Sequence, residues 1–309
     1  MQIKQIILLQ ILVLFYFSSL AQDPDKYKLF EKVNYEFPYQ IGKPDNSWEL
    51  PKKLEEISGL GYIDKHRLAC VQDEKGNIYI FNLKTGEVER KIDFGEDGDY
   101  EGIEIIDDDA WILKSNGTLY KVSNYTFETE HQADKYTTAL SKKNNTEGLA
   151  FDPMSKKLLI ACKGHPFVDE KKGKEFKAIY SFDIQTKLID LHPFLMIEMD
   201  SIKHFKNYNT MTQLGVELLA YFDESEGDVS FQPSGIAVHP HSGNLYILGS
   251  VGNLLLVYNR MGKMMAVIKL RSKYFPQPEG ICFDPNGDLY IANEGDDDNG
   301  TILKFVMKK

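Results

Sequence analysis

Apolar and polar residues alternate over short stretches of the chain, and these stretches recur at a regular distance. A representative unit, from Pro278 to Asn293, has an apolar run (ICF), a turn at Asn286-Gly287 and a second apolar run (LYIAN). Alternating Ile, Leu, Val and Tyr predict β-strands, and Asn-Gly between two such runs predicts a tight hairpin turn. The pattern therefore predicts a succession of antiparallel hairpins.

Each unit begins with a short motif in which Ser or Glu precedes Gly and then Ile or Leu. The motif glycines are Gly59, Gly102, Gly148, Gly235 and Gly280, with spacings of 43, 46, 87 and 45 residues. A period near 45 residues, with several short strands per unit, is typical of a β-propeller. The sequence therefore predicts an all-β, five-bladed propeller whose blades begin near residues 56, 100, 146, 233 and 278.

The spacing of 87 residues leaves room for a sixth blade, which is the alternative. Blade three is expected to end with a strand in LIDLHPFLMI, and the following segment, about residues 199–231, has neither the glycine motif nor paired strand patterns. Its pattern favours helix and loop. We expect five blades with a helical insertion after blade three.

The last unit ends after three strands, so the ring needs a fourth strand from elsewhere. The stretch KVNYEFPYQI, residues 32–41, has strand character and precedes blade one. A strand supplied by the N-terminal part of the chain would remove the exposed edges of the first and last blades. We expect residues 32–41 to close the ring in this way.

The N-terminal segment has the layout of a secretory signal peptide. One early lysine is followed by an apolar run from Ile6 to Phe17 and by small residues before Gln22. Residues 1–21 are therefore predicted to be removed by cleavage after Ala21, which leaves residues 22–309 as the propeller domain. Retention of the segment as a membrane anchor is the alternative. The protein is expected to be exported, to the periplasm or the cell envelope.

Charge and cysteine content exclude some classes of function. The formal net charge is -10, whereas a nucleic-acid partner requires clustered Lys and Arg, so no nucleic acid is expected as a partner. Cys70, Cys162 and Cys282 each lie in an apolar run and are expected to be buried free thiols. A Cys70–Cys162 disulfide would require their strands to be in contact.

The ordered set of motifs resembles the SdiA-regulated family of exported bacterial β-propellers. The stretches that carry the resemblance are LPKKLEEISGLGYI, GEDGDYEGIEII, NTEGLAFDP, PSGIAVHP and FPQPEGICFDPNGDLYIANEG. The resemblance covers residues from about Leu50 to Phe305. It implies a five-bladed propeller that is periplasmic or membrane-associated, with a link to calcium and no settled enzymatic reaction.

The residue before each motif glycine is a candidate for chemistry, because the first strand of every propeller blade lines the central axis. These residues are Ser58, Glu101, Glu147, Ser234 and Glu279. Three carboxylates at one mouth repel one another, and a hard cation with oxygen ligands such as calcium compensates that repulsion. Glu101, Glu147 and Glu279 are therefore predicted metal ligands. The alternative is a ring of glutamates that face water or bind backbone N–H groups.

Other candidates follow from which loops share a face of the propeller. The loops after the second strands lie on the same face as the glutamates, and they place Gln72, Asp73, Lys163, Ser250, Asn293 and Glu294 there. Of these, Asp73, Lys163, Asn293 and Glu294, together with Ser58 and Ser234, are predicted to bind a ligand. His165 is expected on this face, and His239 and His241 on the surface of the opposite face. The acids of GEDGDYEG and EGDDDNG are expected to be solvated, because the second loop departs from the EF-hand spacing.

Two functions of different classes remain open. The first is an exported propeller that binds a cation, calcium, and presents a face to an unknown small molecule or envelope protein. The second is a calcium-dependent lactone or ester hydrolase of the SMP-30 and paraoxonase type, in which an axial ion polarises the substrate. The sequence identifies no catalytic residue.

Overall fold

The computed structural model describes residues 28–31, 35–126, 132–168, 173, 175–205, 230–295 and 298–308. The predicted signal peptide and most of the predicted insertion, residues 206–229, lie outside the described residues. None of the helices in the described ranges combines the length and the apolar character needed to span a membrane.

The described strands form five antiparallel sheets arranged as the blades of a propeller. Two strands precede blade one, β1 (Lys28–Glu31) and β2 (Asn46–Glu49), and a 3₁₀ helix (Lys52–Leu54) follows them. Blade one contains β3 (Ile57–Asp64), β4 (Arg67–Gln72), β5 (Asn77–Asn82) and β6 (Glu87–Asp93), and blade two contains β7 (Tyr100–Ile106), β8 (Asp109–Lys114), β9 (Leu119–Ser123) and β10 (Asp134–Tyr136). Blade three contains β11 (Thr146–Asp152), β12 (Lys157–Cys162), β13 (Phe176–Asp183), β14 (Leu188–Ile189) and β15 (Leu195–Glu198). Blade four contains β16 (Gly235–Val238), β17 (Leu245–Gly249), β18 (Leu254–Tyr258) and β19 (Met264–Lys269), and blade five contains β20 (Pro278–Phe283), β21 (Leu289–Asn293) and β22 (Thr301–Phe305).

The prediction of five blades is confirmed, and the strands follow from the alternation in the sequence. In β21 the side chains of Tyr290 and Ala292 pack toward blade one, while Leu289 and Ile291 pack toward blade four. Because successive side chains of a strand point to opposite faces, an all-apolar strand fills the core on both sides of its blade. The hydrophobic core is therefore divided into clusters that lie between neighbouring blades.

The inner strands of neighbouring blades lie so close together around the axis that each motif requires a glycine. A Cβ atom on Gly235 would lie 2.5 Å from the backbone oxygen of Glu279 in blade five, and one on Gly102 would lie 2.9 Å from Cβ of Leu149 in blade three. Real Cβ atoms do not approach other heavy atoms that closely, so any side chain here would push two blades apart. The repeated glycine thus sets how tightly the ring closes.

The ring closes through β2, not through residues 32–41 as the sequence suggested. Strand β2 pairs antiparallel with β22, from Asn46 opposite Lys304 to Glu49 opposite Thr301, and supplies the outer strand of blade five. Residues 35–40 form no strand, because Phe37 and Tyr39 are buried between blades four and five and Pro38 has no N–H for a ladder. The N-terminal part of the chain therefore closes the ring, as predicted, but the prediction that residues 32–41 do so is wrong.

The chain between blades three and four begins with a short helix, α1 (Met199–Phe205), which directly follows β15. Ile202 of this helix is buried in the core between those two blades. The two blades also contact each other through an ion pair in which Arg260 binds both carboxylate oxygens of Asp152, at 2.6 and 2.7 Å. Within the described residues, the connection therefore adds no blade to the ring.

Candidate functional site

The residues before the motif glycines meet around the propeller axis, on the face where the first strands begin. We call this site the axial mouth, and we define it by Ser58, Glu101, Glu147, Ser234 and Glu279. All of these except Ser234 line one small cavity, to which blade four contributes Gly235. Four of the five predicted residues therefore line one cavity, whereas the Ser234 hydroxyl binds the backbone of blade five.

Local irregularity of the inner strands turns these side chains toward the axis. In four blades the pairing of the first and second strands shifts at the motif, between Ile57 and Gly59, Tyr100 and Gly102, Thr146 and Gly148, and Pro278 and Ile281. A β-bulge of this kind inserts an unpaired residue and re-aims its side chain. The motif therefore combines a bulge, which presents the Ser or Glu, with a glycine, which permits close packing.

The two serines of the mouth connect neighbouring blades. The hydroxyl of Ser58 donates a hydrogen bond of 2.6 Å to the carbonyl oxygen of Tyr100, and that of Ser234 donates one of 2.7 Å to Pro278. Each serine therefore binds the backbone of the next inner strand. Their role as ligand-binding residues stays a prediction.

The three glutamates are held in an environment that opposes their ionisation. Burial, repulsion by Glu147 and a hydrogen bond with Asp99 raise the pKa of Glu101 to about 11. Burial and repulsion by Glu147 raise the pKa of Glu279 to about 8. Burial also raises the pKa of Glu147, although the Lys163 ammonium acts in the opposite direction. Carboxyl groups whose pKa is raised in this way keep their protons unless another positive charge takes the place of the proton.

Lys163 places a positive charge among these carboxyls. Its Nζ lies 3.3 Å from Oε1 of Glu147, and Glu147 is only 4% exposed. Burial lowers the pKa of Lys163, but the attraction of Glu147, Glu279 and Glu101 outweighs it and raises the pKa overall. Lys163 therefore lies on the face of the glutamates, as expected, and its role as a ligand-binding residue stays a prediction.

Further acids surround the mouth, and the sequence analysis missed two of them. Asp99, which belongs to the loop expected to be solvated, instead forms hydrogen bonds with Ser115 and Glu101. Glu56 shares a hydrogen bond with Glu294, and burial followed by this contact raises the pKa of Glu294 to about 8. Asp99 and Glu56 each lie three residues before a motif glycine, and this position in the sequence could have identified them.

Asp73 and Asn293 lie where the second strands end, as the sequence predicted. Burial and repulsion from Glu56 raise the pKa of Asp73 to about 6, and its Oδ1 is buried without a hydrogen-bond partner. Asn293 is fully buried and donates to the carbonyl of Tyr274 and to the hydroxyl of Thr301, while its Oδ1 has no partner. Both side chains thus retain an unused acceptor oxygen.

The remaining residues of this face have structural contacts. Oε1 of Gln72 accepts hydrogen bonds from the backbone N–H groups of Glu74 and Lys75, at 2.6 and 2.5 Å. Ser250 forms a hydrogen bond with Glu279 that opposes the rise of its pKa. Nδ1 of His165 accepts from the N–H of Phe167. Of these, only Ser250 contacts a residue of the axial mouth directly.

The expectation that His239 is a surface residue is wrong. The side chain is 4% exposed and packs against the rings of both Tyr246 and Phe283, while Nδ1 accepts hydrogen bonds from the backbone of His241 and Ser242. Burial lowers the pKa of His239 to about 4, so it is neutral at physiological pH. His241 is exposed, as expected. The aromatic neighbours come from other strands, so the local sequence does not reveal them.

The three cysteines are buried and free, as predicted. Within the described part of the chain, no three His, Cys, Asp or Glu side chains are grouped so that they could hold a metal ion as they stand. In the axial mouth the Lys163 ammonium lies 3.3 Å from the buried carboxyl group of Glu147. Carboxylate and amide oxygens are the donors that calcium prefers, so the types of residue at the axial mouth fit calcium, whereas their grouping does not form a metal site.

Comparison with solved structures shows a shared fold at low sequence identity. The PQQ-bound aldose sugar dehydrogenase from Streptomyces coelicolor is 12% identical, with a TM-score of 0.50, and the match covers 91% of this chain and 98% of that one. A gluconolactonase from Xanthomonas campestris is 12% identical over 78% of this chain and 69% of that one, with a TM-score of 0.44. Streptogramin B lyase is 10% identical over 85% and 97%, with a TM-score of 0.47.

These likenesses concern the fold alone, and a search of curated proteins found no match to the chain. The family comparison is more specific, because its model spans all five glycine motifs. It matches residues 40–296, from the segment before β2 to the loop after β21. The chain is therefore a member of the SdiA-regulated family.

Proposed function

We propose that this protein is an exported β-propeller that binds calcium at the axial mouth and presents that face to a small molecule or an envelope protein. The observation that carries the proposal is the convergence of Glu101, Glu147 and Glu279, from three different blades, in one buried cavity. Burying like charges together is unfavourable, so a fold that does so gains stability from a bound cation. Export rests on the layout of residues 1–21 in the sequence.

The charge of the surroundings supports a cation over a neutral ligand. Asp99 adds a carboxyl group whose field reaches Glu101 and Glu147, and Asp73 and Glu294 add two whose fields reach Glu279. A divalent ion with flexible oxygen coordination tolerates the irregular spacing of side chains that come from separate strands. Lactone or ester hydrolysis stays a prediction from the sequence, which a substrate panel assayed with calcium and with chelator tests.

Calcium should stabilise the folded protein, and Glu147→Gln should remove most of this effect. A ligand present at a hundredfold excess over its Kd adds about 2.7 kcal/mol to the free energy of unfolding. For a chain of this size that corresponds to a rise in Tm of roughly 5 °C or more. Differential scanning calorimetry of the metal-stripped protein, with and without calcium, measures the shift.

Glu87→Gln is the matched control, because it makes the same chemical change on an exposed position of β6. The control should retain the full calcium shift. An unchanged melting curve of the parent protein on addition of calcium would refute the proposed function. Equal shifts in both variants would instead exclude Glu147 as a ligand.

A further inference from the structure

Hydrogen bonds of its backbone N–H and carbonyl groups hold Lys163 next to the axial mouth. Its N–H donates to the carbonyl of Asn145 at 2.8 Å, and its carbonyl accepts a hydrogen bond of 2.5 Å from Nζ of Lys177. Asn145 also donates from Nδ2 to Oε1 of Glu147 at 2.7 Å, the oxygen that lies 3.3 Å from the Lys163 ammonium. The same short segment therefore fixes the carboxylate and holds the lysine next to it.

The Lys163 ammonium lies where a bound cation would compensate the negative charge of the glutamates. Its contact, Glu147, is buried, and Glu101 and Glu279 line the same cavity. The lysine side chain itself is 27% exposed, so its tip has a path to solvent when the carboxylate takes another partner. A flexible four-carbon stem allows this movement at the cost of one ion pair.

We infer that Lys163 is a built-in competing cation that determines which ions the axial mouth accepts. This inference rests on the proposed function, since it concerns the selectivity of the same site. An ammonium carries the same charge as Na⁺ or K⁺, so a monovalent ion that displaces it gains no charge compensation. A divalent ion adds one further positive charge next to the glutamates. Lys163 therefore lowers affinity for all cations and restricts binding to divalent ones.

Replacing Lys163 with methionine tests this inference by removing the charge while keeping most of the length. Isothermal titration calorimetry should show calcium binding at least about tenfold tighter in Lys163→Met than in the parent, because a like charge a few ångströms from the ion is removed. The Tm of the metal-stripped variant should fall below that of the parent, and the calcium-induced rise should be larger. Sodium at millimolar concentration should compete with calcium in the variant and not in the parent.

Two further variants control for structural effects. Lys163→Arg keeps the charge and should keep the selectivity of the parent. Lys269→Met removes another partly buried lysine, whose Nζ donates to the carbonyl of Gly252 and whose pKa is lowered by burial alone, with no carboxylate contributing. It should leave calcium affinity unchanged.

The outcomes separate the two claims. Calcium binding by the parent with equal or weaker binding by Lys163→Met would overturn the role of Lys163 and leave the proposed function intact. Binding only by Lys163→Met would show that the lysine excludes calcium from the parent, which would overturn both the proposed function and the selectivity for divalent ions. Absence of binding in both proteins would overturn both claims.

Discussion

Glu104 lies on β7, three residues after Glu101 and outside the cavity of the axial mouth. Its Oε2 accepts a hydrogen bond of 2.8 Å from the backbone N–H of Phe151 in blade three. Burial raises the pKa of this carboxyl to about 7, although the hydrogen bonds from Phe151 and Ile105 oppose the rise. The folded protein therefore retains a proton here that the unfolded chain has already released above pH 4.5.

The sign of the resulting pH dependence follows from this difference. A raised carboxyl pKa contributes stability that is complete below about pH 4.5 and is lost as the pH rises through 7. Relative to Glu104→Gln, whose amide can accept the same hydrogen bond, the parent should lose about 2–3 kcal/mol between pH 5 and 8. Urea denaturation of both proteins at these pH values measures it. A constant difference between them would show that Glu104 is ionised throughout.

At the scale of the blade, the ion pair between Asp152 and Arg260 joins the two blades that the chain connects through α1 and residues beyond it. Asp152 is fully buried, whereas the Arg260 side chain is 26% exposed. Burial would raise the pKa of Asp152, but hydrogen bonds from Arg260 and Ser155 lower it overall. Removal of Arg260 leaves a buried carboxylate with only local partners, so it should destabilise the contact between the blades.

Arg260→Met is expected to lower the free energy of unfolding by about 1–3 kcal/mol, a value reduced from that of a fully buried pair because Arg260 is partly exposed. Arg67→Met is the matched control. Its ion pair with Asp64 has a similar bond length, 2.6 Å, but both side chains are about 40% exposed and both belong to one hairpin. The control should cost well under about 1 kcal/mol. Equal losses of unfolding free energy in the two variants, measured by chemical denaturation, would show that the ion pair between the blades adds no stability.

At the scale of the whole molecule, stability depends on closing the ring. Strand β2 covers the edge of β22, and Nε1 of Trp48 donates to the carbonyl of Leu83 in blade one, so this strand also connects the last blade to the first. Strand β1, by contrast, adds only a fifth strand to the outer edge of β19. The two N-terminal strands therefore differ in importance although they are equally long.

Two shortened chains test this difference. A protein that begins at Tyr35 lacks β1 and should keep the elution volume of the parent and a cooperative melting transition within a few degrees of it. A protein that begins at Leu50 also lacks β2, so the edge of β22 and the apolar surface under Phe37 and Tyr39 are exposed, and it should aggregate. Size-exclusion chromatography and circular dichroism distinguish the two. A folded monomer that begins at Leu50 would show that the ring is stable when open.

The sequence by itself determined the features that depend on local pattern and repetition. Alternating apolar residues specify strands, the turn residues specify hairpins, and the spacing of five glycine motifs specifies five blades and the membership of the axial mouth. The close approach around Gly102 and Gly235 explains why the signal is strong, since every blade meets the same steric requirement at the same position. Because this steric requirement recurs in every blade, it appears as a periodic glycine motif in the sequence.

Only the tertiary structure decided the features that depend on contacts between distant segments. Asn46–Glu49 closes the ring because it reaches the free edge of β22, and residues 35–40 are instead fixed by Phe37 and Tyr39 between two blades. His239 is buried because rings from other strands surround it. The pKa values at the axial mouth likewise arise from burial and from charges on four different blades. Such effects depend on distances in space, and a single sequence records only the order of residues along the chain.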